Sequence, residues 1–228
     1  WSAMAKMEFP DNADAISMAL TPMVLSARLI RKNHPKAKIV FVGPCSAKKL
    51  EAMRRSVKSE VDFVLTFEEL AGMMEAKGIA FESLADDKSD FEASSRDGRG
   101  FAVSGGVAMA VVNAIHDKHP DLEVKVMAAE GLDNCRAMMK DAVKGKYPGY
   151  LLEGMACPGG CVAGAGTLSA INRASAAVKR YAKTAAKDVA TKNEYNPLIP
   201  ELAGSVSPEV EIAEVREVQK PVQKPRKN

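Results

Sequence analysis

At 228 residues, with a formal charge of +3 and aromatic residues at only 5%, the chain can bury one large core or two small ones. The near balance of charge and the scarcity of rings supply neither the basic stripe nor the stacking surface of a nucleic-acid binder. No apolar run reaches the roughly 20 residues that span a bilayer, Trp1 to Lys6 lacks a secretory layout, and four cysteines in so long a chain do not make a disulfide scaffold, so a cytoplasmic, reducing location without a membrane partner is expected.

Thr21-Pro22 reads as a helix start, and Met23, Val24, Ala27 and Ile30 recur at helical spacing until Asn33 and Pro35. Residues 38–42 predict a buried strand and 48–55 a helix leading out of a cysteine loop. A second strand is expected over 61–65, followed by a capping box, Thr66-x-x-Glu69, whose helix closes at Gly78. The polar stretch 86–100 predicts a loop. Beyond it come a helix over 105–116, a strand over 123–128, a helix over 132–144, a strand over 150–155 and an alanine-rich helix over 169–187. Strands alternating with helices predict an α/β fold with parallel strands flanked by helices. From 189 onward repeated prolines, Pro197, Pro200, Pro208, Pro221 and Pro225, predict a tail or linker. The expected division is 1–58, 59–188 and 189–228.

Two cysteine loops carry the chemistry. Glu153 to Gly166 reads EGMACPGGCVAGAG, placing Cys157 and Cys161 around Pro158-Gly159-Gly160 after an apolar lead-in. Thiolates are soft ligands that suit zinc or iron–sulfur clusters, and glycine lets backbone approach a bulky group; buried free cysteines are the plainer alternative. The second loop, Gly43-Pro44-Cys45, follows the first predicted strand. In such sheets ligands gather at the carboxyl ends of strands, so Cys45 and Cys157 are free to meet there. Lys48 lies about one helical turn beyond Cys45 and is able to face the same object, with Glu51 a further turn on as its partner. A solvated helix surface is the simple alternative for both, and core packing is the alternative for Met155. Cys135 fits no pattern, and His34, His116 and His119 sit beside lysines and prolines as poor ligands. No Gly-Lys-Ser/Thr closes a phosphate loop.

Together the two loops resemble the second and third signature motifs of the iron-only (FeFe) hydrogenases, M-P-C-x-x-K-x-x-E and E-x-M-A-C-x-G-G-C-x-x-G-G-G-x-P. Cys45, Lys48 and Glu51 fall on the first pattern; Glu153, Met155, Ala156, Cys157, Gly159, Gly160, Cys161, Gly164 and Gly166 fall on the second. The resemblance runs over about residues 1–180 and includes Asp62 to Thr66 and Val103 to Val107. It implies part of one lobe plus the second lobe of the family's catalytic domain. Cys45, Cys157 and Cys161 would be metal ligands, three of the four thiolates of a 4Fe–4S cubane. Cys161 would also bridge to a di-iron unit carrying CO and CN, the whole being the H-cluster. Lys48 would be the catalytic-site ammonium that hydrogen-bonds a cyanide, and Gly43, Pro44, Glu51, Met155, Gly159 and Gly160 would shape the cofactor pocket.

The implied activity is interconversion of protons plus electrons with dihydrogen, with an electron carrier such as ferredoxin as partner. Trp1 is similar to the last residue of the family's first motif, T-S-C-C-P-x-W. On that reading the remainder of a parent hydrogenase chain is a partner, the fourth ligand belongs to it, and this C-terminal piece is inactive alone. The sequence departs from the family at Gly43, where catalytic members carry methionine, at Ala165 and at Leu168. Glycine at 43 is expected to leave space beside the di-iron unit, as in the branch thought to sense hydrogen. A sensory protein and an iron–sulfur assembly factor of the same family are therefore the two rivals.

Overall fold

The computed structural model describes residues 1–85 and 94–204. The N-terminal stretch is helical: α1 (Ser2–Glu8), a 3₁₀ turn (Pro10–Ala15) and α2 (Pro22–Asn33). Pro22 opens α2 as expected, but the Thr21 hydroxyl does not cap it and instead donates to the Glu51 carboxylate. Met23, Val24 and Ala27 are buried while Ile30 is 41% exposed, so the apolar stripe is one turn shorter than the periodicity predicts. Burying Met23 and Val24 is worth on the order of 1.5–3 kcal/mol each.

β1 (Val40–Gly43) leads through the first cysteine loop to α3 (Ala47–Met53), and β2 (Phe63–Thr66) pairs in parallel with β1, Val40 facing Phe63 and Gly43 facing Thr66. Phe41 and Val64 share the face that meets Met23, Val24 and Val57. Asp62 secures the entry to both strands. Its carboxylate accepts from Ile39 N–H at 2.8 Å and from Arg31 and Lys38, and these partners, Ile39 first, hold the carboxyl below its ordinary range. Because β1 and β2 pair across the expected 58/59 division, that boundary would cut through a sheet.

α4 (Phe67–Ala76) begins with both reciprocal bonds of the capping box: Glu69 N–H donates to Thr66 Oγ1 at 3.2 Å and Thr66 N–H to Glu69 Oε2 at 2.8 Å. The expected loop over 86–100 lies partly outside the described residues, and its end is a helix, α5 (Arg96–Gly100). Ser95 caps Gly98 N–H at 3.1 Å, and Arg96 N–H donates to Lys187 O at 2.7 Å. These contacts, rather than local propensity, form the helix.

α6 (Gly106–Lys118), β3 (Lys125–Glu130), α7 (Leu132–Val143) and β4 (Tyr150–Met155) complete a second parallel pair, with Glu130 facing Met155. The four described strands therefore make two separate two-stranded sheets rather than one. Trp1, Met4, Met127 and Leu152 pack around Ala129, Cys135 and Met138 on one face of the β3–β4 pair. The Trp1 indole stands where a side chain on Gly154 would project. Arg136 fixes α1 to α7 with a two-pronged pair to Glu8, at 2.6 and 2.9 Å.

α8 (Ile171–Lys183) follows the glycine loop. Within the stretch expected as a tail, residues up to Gly204 are structured. Two 3₁₀ turns lead to α9 (Ile199–Ala203), whose final carbonyls, Leu202 O at 2.5 Å and Ala203 O at 2.6 Å, accept from Arg28 on α2. The prolines at 197 and 200 stand in first turns, where a missing N–H costs nothing. The remaining prolines, from 208 on, lie outside the described residues. Among the described residues no helix is long and apolar enough to cross a membrane.

Candidate metal centre

Cys45 follows β1 and Cys157 follows β4, so the two loops leave the carboxyl ends of strands in different sheets. The glycine loop closes the distance between them. Gly166 N–H donates to Pro44 O at 2.9 Å. A Cβ on Gly164 would strike Pro44 O, and one on Gly166 would strike Thr66 at the end of β2. Only glycine lets the second loop lie this close to the first.

The sulfurs respond to that approach. Cys45 and Cys157 are half-buried, whereas Cys161 reaches the surface. Protein atoms nevertheless crowd the Cys161 thiol, and burial pushes it up from its ordinary range. Repulsion from Cys45 and Cys157 adds to the rise, and attraction to Lys48 opposes it. The three expected ligands and Lys48 thus share one electrostatic neighbourhood.

Among the described residues no group of three or more His, Cys, Asp or Glu side chains is gathered tightly enough for a single metal ion. A cubane, by contrast, distributes its thiolates over separate irons. Three cysteines carried on two loops in contact, with an ammonium among the charges that act on Cys161, are a donor set suited to an iron–sulfur cluster, so the residues fit the group that the family implies.

Lys48 stands in the first turn of α3 with its Nζ 2.6 Å from Glu51 Oε2, each side chain about one-fifth exposed. Thr21 donates to the other Glu51 oxygen. Of three ammonium donors, one is engaged by Glu51. Glu51 is thereby turned to Lys48 and Thr21, which makes it a holder of the lysine.

Further details of the site follow from its contacts. Gly159, expected with Gly160 to shape the cofactor pocket, donates its N–H to Glu130 Oε2 at 2.8 Å, and Gly160 N–H closes a turn within the loop on Cys157 O at 3.0 Å. Their Cβ positions are taken by Ile171 and by the backbone of residues 102–104. Gly43 is buried and leaves no open space, because a Cβ there would lie 2.7 Å from Phe41 Cε1. Phe41 and Gly43 are two apart on a strand and share a face, so the ring fills what the glycine vacates. Gly43→Met is therefore expected to destabilise by about 1–3 kcal/mol through overpacking, and Phe41→Ala in the same chain should recover part of it, as read from denaturation midpoints of the single and double variants. Lastly, Cys135 acquires a place. It is fully buried, its Sγ 3.4 Å from Ala129 O and 3.6 Å from Met155 O, and burial raises its thiol.

Two roles at the site escaped the sequence reading, that of Glu130 and that of Ser104, the latter inside the family-like segment Val103 to Val107. Glu130 ends β3, where a charged residue closing an apolar strand was the available signal. The Ser104 hydroxyl and Gly159 N–H both bond its carboxylate and hold it below its ordinary range. Glu153, matched by the motif pattern, is a buried helix cap. Its oxygens accept from Gly105 N–H at 2.7 Å and from Val107 and Ala108 N–H at 3.1 Å, at the positive end of α6.

The family model for the C-terminal domain of the iron only hydrogenase large subunit matches residues 1–165. The periplasmic Fe hydrogenase large subunit of Nitratidesulfovibrio vulgaris is 31% identical over 206 residues, covering 73% of this chain and 49% of that protein. Cytosolic iron-sulfur assembly component 3 of Bos taurus is 29% identical over 203 residues, covering 68% of this chain and 42% of that protein. The chain thus spans about half the length of the curated relatives it matches. In fold, a variant of the FeFe-hydrogenase HydA1 from Chlamydomonas reinhardtii aligns with a TM-score of 0.65 at 20% identity, covering 93% of this chain and 72% of that one. On this agreement of motifs, fold and family model, the chain belongs to the family of C-terminal domains of iron-only hydrogenase large subunits.

Proposed function

We propose that the chain is the C-terminal part of an H-cluster domain, in which Cys45, Cys157 and Cys161 would be the thiolates that hold the cluster. The observation that supports this reading is the contact of the two cysteine loops, in which Gly166 N–H donates to Pro44 O at 2.9 Å and Gly164 leaves no room for a side chain against the same carbonyl. When bound, the H-cluster supplies the redox chemistry that interconverts two protons plus two electrons with dihydrogen. The chain's own residues do the holding. Lys48, steadied by Glu51 and through it by Thr21, offers its remaining N–H donors to an anionic ligand at the site. Pro44, tied by its carbonyl to Gly166, keeps the first loop against the second. Met155, at the end of β4 two residues before Cys157, would line the cofactor's site.

The fourth cysteine of the chain, Cys135, is buried between β3 and α7. Three thiolates therefore leave one iron of a cubane to a ligand from another segment, and the remainder of a hydrogenase chain supplies it. For that reason this chain alone is proposed to be inactive. Its redox partner is an electron carrier such as ferredoxin. A cytoplasmic location is part of the proposal, from the cysteine usage of the sequence; the Nitratidesulfovibrio relative is named as periplasmic.

The likeness to the bovine assembly component supports a second reading, a cluster-binding assembly factor without the di-iron unit. Infrared spectroscopy separates the two on the complete polypeptide, made with hydrogenase maturation machinery. The hydrogenase reading expects carbonyl and cyanide stretches and hydrogen evolution from a reduced dye, with none from the 228-residue chain alone. Iron without those stretches would favour the assembly reading.

A further inference from the structure

Gly159 and Gly160 both adopt left-handed backbone, with φ of +92° and +94°, inside the loop that carries Cys157 and Cys161. Two such residues in succession are not a resting shape for a free loop, since glycine samples many others. Something outside the loop selects this one. Gly159 N–H donates to Glu130 Oε2 at 2.8 Å, Gly159 O accepts from Ser104 N–H at 3.2 Å, and the Ser104 hydroxyl bonds the same Glu130 carboxylate. Both polar groups of one peptide position are thus held by two residues that also hold each other. Val162 N–H, donating to Ala102 O at 3.0 Å, anchors the far side of Cys161 to the same strip of chain. The supports stand on rigid elements, Glu130 at the end of β3 and Ser104 just before α6, whose first N–H groups are bound by Glu153.

We infer that Glu130, together with Ser104, is a positioning latch that fixes the spacing of Cys157 and Cys161 for cluster binding. The inference rests on the cluster reading above, but the latch itself exists without iron. Glu130 bonds backbone and a hydroxyl and acts on the ligands only through the loop. A carboxamide has an oxygen that accepts from the same Gly159 N–H and an amide that bonds the Ser104 hydroxyl, so Glu130→Gln should preserve the latch and Glu130→Ala should release it.

The test uses the complete polypeptide, including the segment proposed to supply the fourth cluster ligand, in two states. In the iron-free protein, hydrogen exchange at Gly159 N–H is expected to speed up at least tenfold in Glu130→Ala, with the β3–β4 ladder amides unchanged, and to stay within about threefold of the parent in Glu130→Gln. After anaerobic reconstitution with iron and sulfide, iron retained per chain should fall at least threefold in Glu130→Ala and be rescued in Glu130→Gln. Unchanged exchange in Glu130→Ala, or acceleration shared by the whole ladder, overturns the latch. So does Glu130→Ala that retains iron like the parent. A parent chain that retains no iron while its Gly159 N–H stays protected contradicts the cluster reading instead, and removes the ligand-spacing purpose while the latch geometry stands.

Discussion

Gly160→Ala is expected to cost about 2–5 kcal/mol from left-handed strain and overpacking together. The added carbon would lie 2.5 Å from Ser104 N and 2.8 Å from Ala102 O, and neither is a side-chain end that can swing away. The φ of +94° adds strain for any residue with a Cβ. Relief requires the cysteine loop to lift from the 102–104 strip, which would also break the Val162 to Ala102 bond. Gly72, inside α4 with nothing within 4 Å of its Cβ position, is the internal control. Gly72→Ala should be neutral or stabilise by about 0.5–1 kcal/mol, because it only removes glycine's backbone freedom from a helix. Denaturant midpoints of the two variants should therefore move in opposite directions or differ widely. Equal midpoints would mean that the loop does not sit against Ser104.

The second large effect is chemical. Cys45→Ser, Cys157→Ser and Cys161→Ser are each expected to lower the iron retained after reconstitution at least tenfold, since a hydroxyl does not replace a thiolate toward iron. These side chains lie at or near the surface, so each variant should keep most of its stability. Cys135→Ala should show the reverse. Its sulfur is fully buried against Ala129 O and Met155 O, and its removal should cost about 1–2 kcal/mol through a small cavity while iron retention holds. Iron and acid-labile sulfide analysis beside thermal melts reads both properties on the same samples. Loss of iron in Cys135→Ala at intact stability would contradict the assignment.

The elements that local pattern dictates were legible in the sequence. Thr66 and Glu69 announce their helix because the capping box needs only residues three apart. The strands read from β-branched runs fall within two residues of β1 to β4, as expected where ends depend on pairing rather than composition. The two cysteine loops were legible because closely spaced cysteines among glycines and prolines stand out in the sequence itself. What escaped depends on contacts distant in sequence. α5 forms because residues 187 and 188 accept from the first N–H groups of the helix. α9 forms where prolines suggested a tail, because the guanidinium of Arg28, far back in the chain on α2, donates to its last carbonyls. The exchange of Gly43 for the Phe41 ring is invisible without the pleat that puts them on one face. Glu130 and Ser104 meet Gly159 from two other segments of the chain.

The central claim is that two loops from separate sheets deliver three sulfurs to one cluster. A crystal structure of anaerobically iron-loaded protein, with anomalous data collected at the iron edge, tests it most directly. The predicted result is one iron peak bounded by the sulfurs of Cys45, Cys157 and Cys161, with the Lys48 ammonium beside it. An iron peak elsewhere, or one that engages the Cys157–Cys161 loop while Cys45 stays remote, would contradict it.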